Sequence, residues 1–222
     1  MGEADLHAEA FDANVLPTAN ALNSFCKNKY CYTFFKRLFD LVTSLVGILV
    51  LMPLIVLIAV VIKIESPGPV FFVQARVGKG LIFFNIFKFR TMYADSIPIP
   101  MYVNNPETNE MRRPSIKEDA RITKFGAILR SLSLDELPQL LNILLGEMSF
   151  IGPRPLTIQE SLNVPTEAIC RYAVKPGLSG LAQIRNRSAM HSESRFAGDI
   201  EYVLKNSTLS LLWLFSQRGI WE

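Results

Sequence analysis

The most uneven feature of the hydrophobic pattern is an apolar run over residues 41–62 that contains no charged residue. As an α-helix it would be about 33 Å long at ~1.5 Å per residue, enough to cross the hydrocarbon core of a bilayer. The pattern therefore predicts a membrane-embedded helix. Two topologies are open at this point: a helix that crosses the bilayer, and a segment that enters it and returns to the same face.

Two features of the run and its flanks favour the re-entrant topology. Pro53 lies near the middle, where it removes a backbone hydrogen bond and is expected to bend or break the helix. Basic residues on both sides place both flanks in the cytoplasm by the positive-inside rule; they are Lys27, Lys29, Lys36 and Arg37 before the run and Lys63, Arg76 and Lys79 after it. A crossing helix with a tolerated proline accounts for the pattern equally well.

Behind the membrane segment, two β-rich runs flank a glycine turn at Gly78-Lys79-Gly80, which predicts a β-hairpin. Alternation along the second strand places Lys88 and Arg90 on one face, either as a phosphate clamp or as a solvated surface. Residues 93–118 are rich in proline and have no sustained period, so they predict a long loop that is a lid, a binding loop or an insertion.

Helical periodicity resumes in the second half of the chain. It predicts helices over 121–130, over 135–146 with a C-cap at Gly146, around 166–173, and around 196–204. The first of them either lies along a membrane surface or packs on a core. Residues 207–222 are apolar and carry Trp213 and Trp221, which suits a membrane interface. The fold class expected is α+β, mostly helical with a small β-hairpin.

Composition limits what the chain can be. With 222 residues, 50% apolar and 19% charged, it has room for one domain and a membrane element, and it is neither disordered nor a disulfide scaffold. The net charge of +3 becomes more positive once the acidic N-terminal tail is set aside, which suits an anionic partner such as lipid headgroups, nucleotide phosphates or nucleic acid. Cys26, Cys31 and Cys170 are predicted to be unpaired thiols.

Few residues are candidates for catalysis. There are only two histidines, and the P-loop, GxGxxG and HExxH motifs are absent from the sequence. Asp135 and Glu136 stand side by side near Arg130. Ser133-x-x-Glu136 fits a capping box, a purely structural role. Alternatively, two adjacent carboxylates can hold a divalent cation while one attacks phosphorus and arginines neutralise the phosphate oxygens.

Arg154 lies between two prolines that restrict its backbone. The arrangement is either a bidentate grip on phosphate or an ordinary surface turn.

Four segments together closely resemble the bacterial sugar transferases known as monotopic phosphoglycosyl transferases. They are FVQARVG (72–78), FKFRTM (87–92), the stretch from RITKFG to IGPRPL (121–156) and KPGLSGLAQ (175–183). The resemblance implies transfer of a sugar-1-phosphate from a UDP-sugar to polyprenol (undecaprenyl) phosphate at the cytoplasmic face of the bacterial inner membrane. Release of UMP would begin synthesis of a glycoconjugate such as exopolysaccharide, capsule, O-antigen or a protein glycan.

The resemblance also implies roles for residues. Asp135 would attack the β-phosphorus and form a covalent phosphosugar intermediate, Glu136 would be a metal or acid–base partner, and both would hold Mg²⁺. Phosphate or substrate contacts are expected from Arg130 and Arg154, and supporting contacts from Lys88, Arg90, Gln74 and Arg76.

The family's fold favours a re-entrant helix broken at Pro53, with interfacial amphipathic helices. The expected organisation is a polar extension (1–33), the re-entrant helix (34–64), a cytosolic catalytic domain (65–206) and an apolar interfacial C-terminus (207–222). Partners are a UDP-sugar, polyprenol phosphate and lipid headgroups, with a second copy or downstream glycosyltransferases as further candidates; a nucleic acid partner is not expected. The alternative function is a catalytically silent membrane-bound scaffold of a glycan-assembly complex.

Overall fold

The computed structural model describes residues 30–94, 103–104, 111–112, 119–185 and 192–205. The predicted N-terminal extension up to residue 29, most of the 93–118 region and the apolar C-terminus lie outside the described residues. The described helices are α1 (Tyr30–Glu65), α2 (Lys124–Ser131), α3 (Gln139–Leu145), α4 (Ile158–Leu162), α5 (Leu181–Arg185) and α6 (Ser192–Lys205). The strands are β1 (Phe71–Val77), β2 (Phe83–Phe89), β3 (Val103–Asn104), β4 (Met111–Arg112), β5 (Ser149–Ile151) and β6 (Gly177–Ser179), and 3₁₀ turns cover Lys79–Leu81, Leu134–Glu136 and Thr166–Ala173.

The chain divides into two compact units. The first comprises residues 1–46, 74–86 and 141–222, and the second comprises residues 47–73 and 87–140. Several elements, α1 and both strands of the β1–β2 hairpin among them, have residues in each unit.

Helix α1 contains the apolar run and is 36 residues long. Among the described residues it is the one helix long and apolar enough to cross a membrane. Pro53 lies inside it, and the helix continues without interruption on either side. The predicted break at Pro53 is therefore not observed as an end of the helix, and the re-entrant path stays a prediction.

The second unit is built around the C-terminal part of α1. Ile58 and Ile62 are buried there against Phe89 of β2 and Leu129 of α2. Helix α2 begins where the Thr123 side chain accepts a 2.9 Å hydrogen bond from the Gly126 amide, which satisfies one of the free N–H groups of the first turn. The helix predicted over 121–130 is thus present, and its interfacial placement stays a prediction.

The core of the first unit is formed where α6 and α5 pack on the 3₁₀ turn at 166–173. Val77, Tyr172, Leu181 and Val203 are buried together there. Strands β5 and β6 pair in parallel, with Ser149 opposite Gly177. Residues 175–183, which contain Pro176, Gly177 and Gly180, form β6 and the start of α5.

The start of α1 is tied to the first unit by charged side chains that precede the apolar run. Arg37 donates to the carbonyls of Ile143 and Leu144 at 2.7 and 2.8 Å, at the C-terminal end of α3. Asp40 is buried and accepts a hydrogen bond from the Phe150 amide at 3.2 Å. Helix ends leave carbonyls without donors inside the helix; Arg37 donates to that of Leu144 and adds a second donor to that of Ile143, which also accepts from the Gly146 amide.

Other sequence predictions have clear outcomes. The β1–β2 hairpin is present, and the helix predicted to end at Gly146 ends there, with that glycine at φ +90°. Within the predicted loop at 93–118, β3 and β4 form a short antiparallel pair. Cys170 is a buried free thiol, as predicted.

Two glycines allow the backbones around β5 and β6 to approach closely. A Cβ added to Gly177 would lie less than 3.0 Å from backbone atoms of Gly152, and one added to Gly152 would lie less than 3.0 Å from backbone atoms of Lys175 and Gly177. Both sequence segments, Gly152-Pro153 and Pro176-Gly177, are therefore packed against each other, and neither is an isolated turn.

We expect Gly177→Ala to destabilise the protein by about 3 kcal/mol or more, and by more than its control, since the new methyl group must displace backbone on the facing segment. The matched control is Gly80→Ala, in the same unit, where a Cβ meets nothing within 4 Å and the only strain is φ +66°. Its expected cost is about 1–2 kcal/mol. Thermal unfolding of both variants tests this; equal or smaller loss for Gly177→Ala would contradict the close approach.

Candidate active site

Asp135 and Glu136 lie in the 3₁₀ turn Leu134–Glu136, which follows an unusual residue. Ser133 has φ +57° and ψ +22°, in the left-handed region, and its side chain caps nothing. The capping box suggested by Ser133-x-x-Glu136 is therefore wrong. A capping box does form elsewhere, between Thr157 and Glu160 at the start of α4.

The left-handed residue before the turn is informative. For a residue with a Cβ, this conformation costs roughly 1–2 kcal/mol and persists only when surrounding structure holds it. Pro138 follows the turn and directly precedes α3, a position where its missing N–H costs no helical hydrogen bond. The backbone on both sides of the two carboxylates is thus tightly specified.

Glu136 is paired with Lys88 of β2. The Lys88 Nζ lies 2.6 Å from Oε1 of Glu136, and both side chains are only 17% exposed. Because the pair is largely shielded from water, its attraction is screened less than that of a surface ion pair. The structure therefore brings together two residues that the sequence placed in the site, 48 positions apart in the chain.

Asp135 lies in a partly dehydrated environment between charges of both signs. Burial raises the pKa of the Asp135 carboxyl above its usual range, Lys88 lowers it, Glu136 raises it and Arg130 lowers it, in decreasing order of effect. A carboxylate whose water shell is partly removed is a better nucleophile toward an electrophile that it can reach.

Arg130 is held in place by a residue that the sequence reasoning did not assign. Its Nε donates to the Thr91 hydroxyl at 2.8 Å, and Thr91 is buried. This bond uses one N–H of a guanidinium that carries five, so the remaining donors can serve an anion. Thr91 belongs to the FKFRTM segment, which was the available signal.

Arg90 has a different role from the one predicted. It is 7% exposed, and its guanidinium donates to the carbonyls of Ser66 and Pro67 at 2.7 and 2.8 Å, directly after α1 ends at Glu65. Its contacts hold the end of the membrane helix, and they give no support to a phosphate contact.

Three other predicted site residues lie in the first unit. Arg154 is exposed, although the prolines on both sides of it are buried. Arg76 donates to the Pro155 carbonyl at 3.3 Å and to Oε1 of Gln74 at 2.6 Å. Gln74 and Arg76 therefore support the backbone of the Pro-Arg-Pro loop. Contact of Arg154 with a phosphate stays a prediction.

The second unit brings together groups that suit phosphoryl chemistry: the adjacent carboxylates Asp135 and Glu136, and the cations Lys88 and Arg130. In the described part of the chain no three His, Cys, Asp or Glu side chains are grouped as a metal site. Magnesium is commonly bound by one or two carboxylates, with substrate phosphates and waters completing its shell. The donor set of Asp135 and Glu136 fits that mode.

Comparisons with known proteins find similarity to sugar transferases. The family model described as bacterial sugar transferase matches residues 31–217. The exopolysaccharide production protein PSS of Rhizobium leguminosarum bv. phaseoli is 42% identical over 182 residues, covering 76% of this chain and 84% of that protein.

Two further relatives are longer than the matched region. The undecaprenyl-phosphate glucose phosphotransferase of Komagataeibacter xylinus is 39% identical over 179 residues, which cover 76% of this chain and 32% of the relative. The UDP-glucose:undecaprenyl-phosphate glucose-1-phosphate transferase of Caulobacter vibrioides is 40% identical over 177 residues, covering 76% of this chain and 62% of the relative. The match thus spans about a third of the Komagataeibacter protein and somewhat under two thirds of the Caulobacter protein.

The adjacent carboxylates should respond to neutralisation with opposite signs. Because the pKa of Asp135 is raised in the folded protein, stability is lost as pH rises through that pKa. Asp135→Asn should therefore raise the melting temperature at neutral pH, with the difference shrinking as pH falls toward the usual carboxyl pKa of about 3.9.

Glu136→Gln is the matched control, since it leaves Lys88 without its carboxylate partner. We expect it to lower the free energy of unfolding by about 1–3 kcal/mol at neutral pH. Thermal unfolding of both variants from pH 4 to pH 8 makes the comparison. A loss of stability in Asp135→Asn at neutral pH would contradict the raised pKa.

Proposed function

Since the chain belongs to the bacterial sugar transferase family, we propose that it transfers a sugar-1-phosphate from a UDP-sugar to undecaprenyl phosphate and releases UMP. The observation that carries the proposal is the partly buried Asp135 carboxylate, whose pKa burial raises, beside the 2.6 Å Lys88–Glu136 pair. A solvated surface pair of carboxylates would have neither property.

In the first step, an Asp135 carboxylate oxygen attacks the β-phosphorus of the UDP-sugar. A bond forms between that oxygen and phosphorus, while the bond from phosphorus to the bridging oxygen breaks and its electron pair leaves with UMP. The product is an aspartyl-phosphosugar on the enzyme, which divides one difficult displacement into two easier ones.

In the second step, a phosphate oxygen of undecaprenyl phosphate attacks the same phosphorus. The bond to Asp135 breaks, the carboxylate is restored, and the sugar leaves as a lipid diphosphate. Water is not a reactant in either step. Partial exclusion of water around Asp135 therefore also limits hydrolysis of the aspartyl-phosphosugar.

Charge compensation is the main task of the surrounding residues, because a carboxylate and a pyrophosphate repel one another. Lys88 and Arg130 act in the second unit, and we propose Arg154 as a further phosphate contact. Mg²⁺ held by Asp135 and Glu136 would neutralise phosphate oxygens and polarise the phosphorus centre when bound. Glu136, which accepts a hydrogen bond from Lys88, would share this role or take part in proton transfer.

The names of two relatives specify glucose as the transferred sugar, so UDP-glucose is the first donor to test. The pathway proposed is exopolysaccharide synthesis, in line with the Rhizobium relative's name. A second copy of the chain and downstream glycosyltransferases are proposed as further partners.

We also propose that α1 is a monotopic insert bent near Pro53, with both ends at the cytoplasmic face of the inner membrane. Basic residues on both sides of the uncharged run support a common side for both ends by the positive-inside rule; they include Lys36 and Arg37 before the run and Lys63 and Arg76 after it.

Incubation of the membrane-embedded protein with UDP-glucose, Mg²⁺ and undecaprenyl phosphate should release UMP. Without the lipid acceptor, mass spectrometry should detect a phosphosugar adduct on the peptide containing Asp135. Asp135→Asn should abolish both signals, at least a 10³-fold loss, since the amide that replaces the Asp135 carboxylate does not form an acyl phosphate. Chelation with EDTA should also stop turnover.

The control for this assay is Lys124→Gln, an exposed charge at the start of α2 outside the site. Wild-type turnover by Asp135→Asn would refute the nucleophile. Absence of UMP release with every UDP-sugar, in protein that is folded, would favour the catalytically silent scaffold.

Labelling of engineered cysteines should show one side for both flanks of α1. Thr33→Cys and Pro69→Cys place thiols at exposed positions, in a background with the three native cysteines replaced. A membrane-impermeant maleimide applied to spheroplasts should label neither site, and should label both after lysis. Labelling of only one site in intact spheroplasts would show a crossing helix.

A further inference from the structure

The backbone of the Pro-Arg-Pro loop is held in an unusual way. Prolines at positions 153 and 155 have no N–H to donate, so these two residues can form backbone hydrogen bonds only through their carbonyls. Each of three consecutive carbonyls accepts a hydrogen bond: Pro153 O from the Gly177 amide at 2.9 Å, Arg154 O from Nη2 of Arg171 at 2.6 Å, and Pro155 O from Nη1 of Arg76 at 3.3 Å.

The central donor, Arg171, is one of the most buried charged residues described. It is 3% exposed, and its Nη2 also lies 3.1 Å from Oδ2 of Asp199 on α6, which is 2% exposed. The guanidinium carbon lies 5.7 and 5.5 Å from the ring centroids of Tyr172 and Phe196. The carboxylate and the two rings leave the guanidinium little freedom, so the direction of its N–H toward Arg154 is well defined.

Stability alone is a poor explanation for this ion pair. Burying two charges carries a desolvation cost that their attraction often does not recover, and apolar residues of similar size frequently stabilise a core better. The pair does supply a charge-assisted donor to one carbonyl of the loop. The carbonyl belongs to Arg154, whose own side chain is exposed while both neighbouring prolines are buried.

We propose that Arg171, oriented by Asp199, is a positioning residue that fixes the backbone at Arg154 so that its side chain is presented to a substrate phosphate. The inference rests on the proposed function for the role of Arg154, and on the loop's own hydrogen bonds for the mechanism. A preorganised guanidinium binds phosphate without first ordering the loop. Arg171 itself touches no substrate; it acts through Arg154.

The test uses a variant that removes the pair without leaving an unpartnered charge, R171M/D199N, because Arg171→Met alone would bury an unpaired carboxylate. Methionine suits the contact with two aromatic rings. UMP-release kinetics should show kcat/KM lowered about ten- to a hundredfold, the range expected for a misplaced substrate-binding group.

A double-mutant cycle separates positioning from general support of the fold. If Arg171 acts through Arg154, the triple variant R154A/R171M/D199N should be no slower than R154A within about twofold. Multiplication of the two losses would overturn the proposal, because it would show that the pair acts independently of Arg154. Arg171→Lys keeps a positive charge opposite Asp199 and should recover part of the kcat/KM loss. It replaces R171M/D199N in these measurements if that double variant does not fold.

Hydrogen exchange by mass spectrometry provides a readout that needs no activity. R171M/D199N should lose protection in the peptide covering 152–157, with little change elsewhere. The matched control is Arg37→Met, which also removes an arginine from main-chain carbonyls in the first unit, those of Ile143 and Leu144. It should loosen residues 143–148 and leave 152–157 unchanged.

The outcomes are distinguishable. If wild-type protein releases no UMP from any donor, the proposed function fails, and hydrogen exchange still decides whether Arg171 anchors the loop. Unchanged exchange at 152–157 in R171M/D199N, or a loss of protection spread over the whole unit, overturns the inference even if the enzyme is active.

Discussion

The candidate site depends on keeping negative charges close together in a place that water only partly reaches. Asp135 and Glu136 are adjacent, and the proposed substrates add a pyrophosphate and a lipid phosphate. The 2.6 Å contact between Lys88 and Glu136 compensates one carboxylate directly, so Asp135 can be partly dehydrated without a second uncompensated charge beside it. Burial then raises the pKa of Asp135, and a carboxylate in that state gains most from reacting with an electrophilic phosphorus.

The arginine side chains of this protein differ in their exposure and in their contacts. Arg37, Arg90 and Arg171 each donate to main-chain carbonyls, at the end of α3, directly after α1 and in the Pro-Arg-Pro loop. Arg154 is exposed instead. The planar guanidinium can bridge two carbonyls, which a lysine cannot do with the same geometry. Membrane attachment and the candidate site are thus supported by the same type of contact.

Much of the fold was predictable where a local pattern has one physical solution. The β1–β2 hairpin, α2, the end of α3 at Gly146 and the helix containing Phe196 and Val203 all follow from periodicity and glycine positions. Predictions were less successful where two local solutions exist. Ser133-x-x-Glu136 matches a capping box, but Ser133 adopts a left-handed conformation and Glu136 pairs with Lys88. Arg90 matched a phosphate clamp, but the nearby carbonyls of Ser66 and Pro67 bind it.

By itself the sequence determined which residue types are available for chemistry, because the adjacent carboxylates, the proline-flanked arginine and the uncharged run at 41–62 are properties of the chain. It also determined the family, since the motifs occur in order over most of its length. Only the tertiary structure decided which charges meet. Lys88 and Glu136 are 48 positions apart, and Arg171 and Asp199 are distant from the loop whose carbonyl Arg171 binds. Pairing of this kind depends on burial and on three-dimensional proximity, and neither is encoded in a local window of sequence.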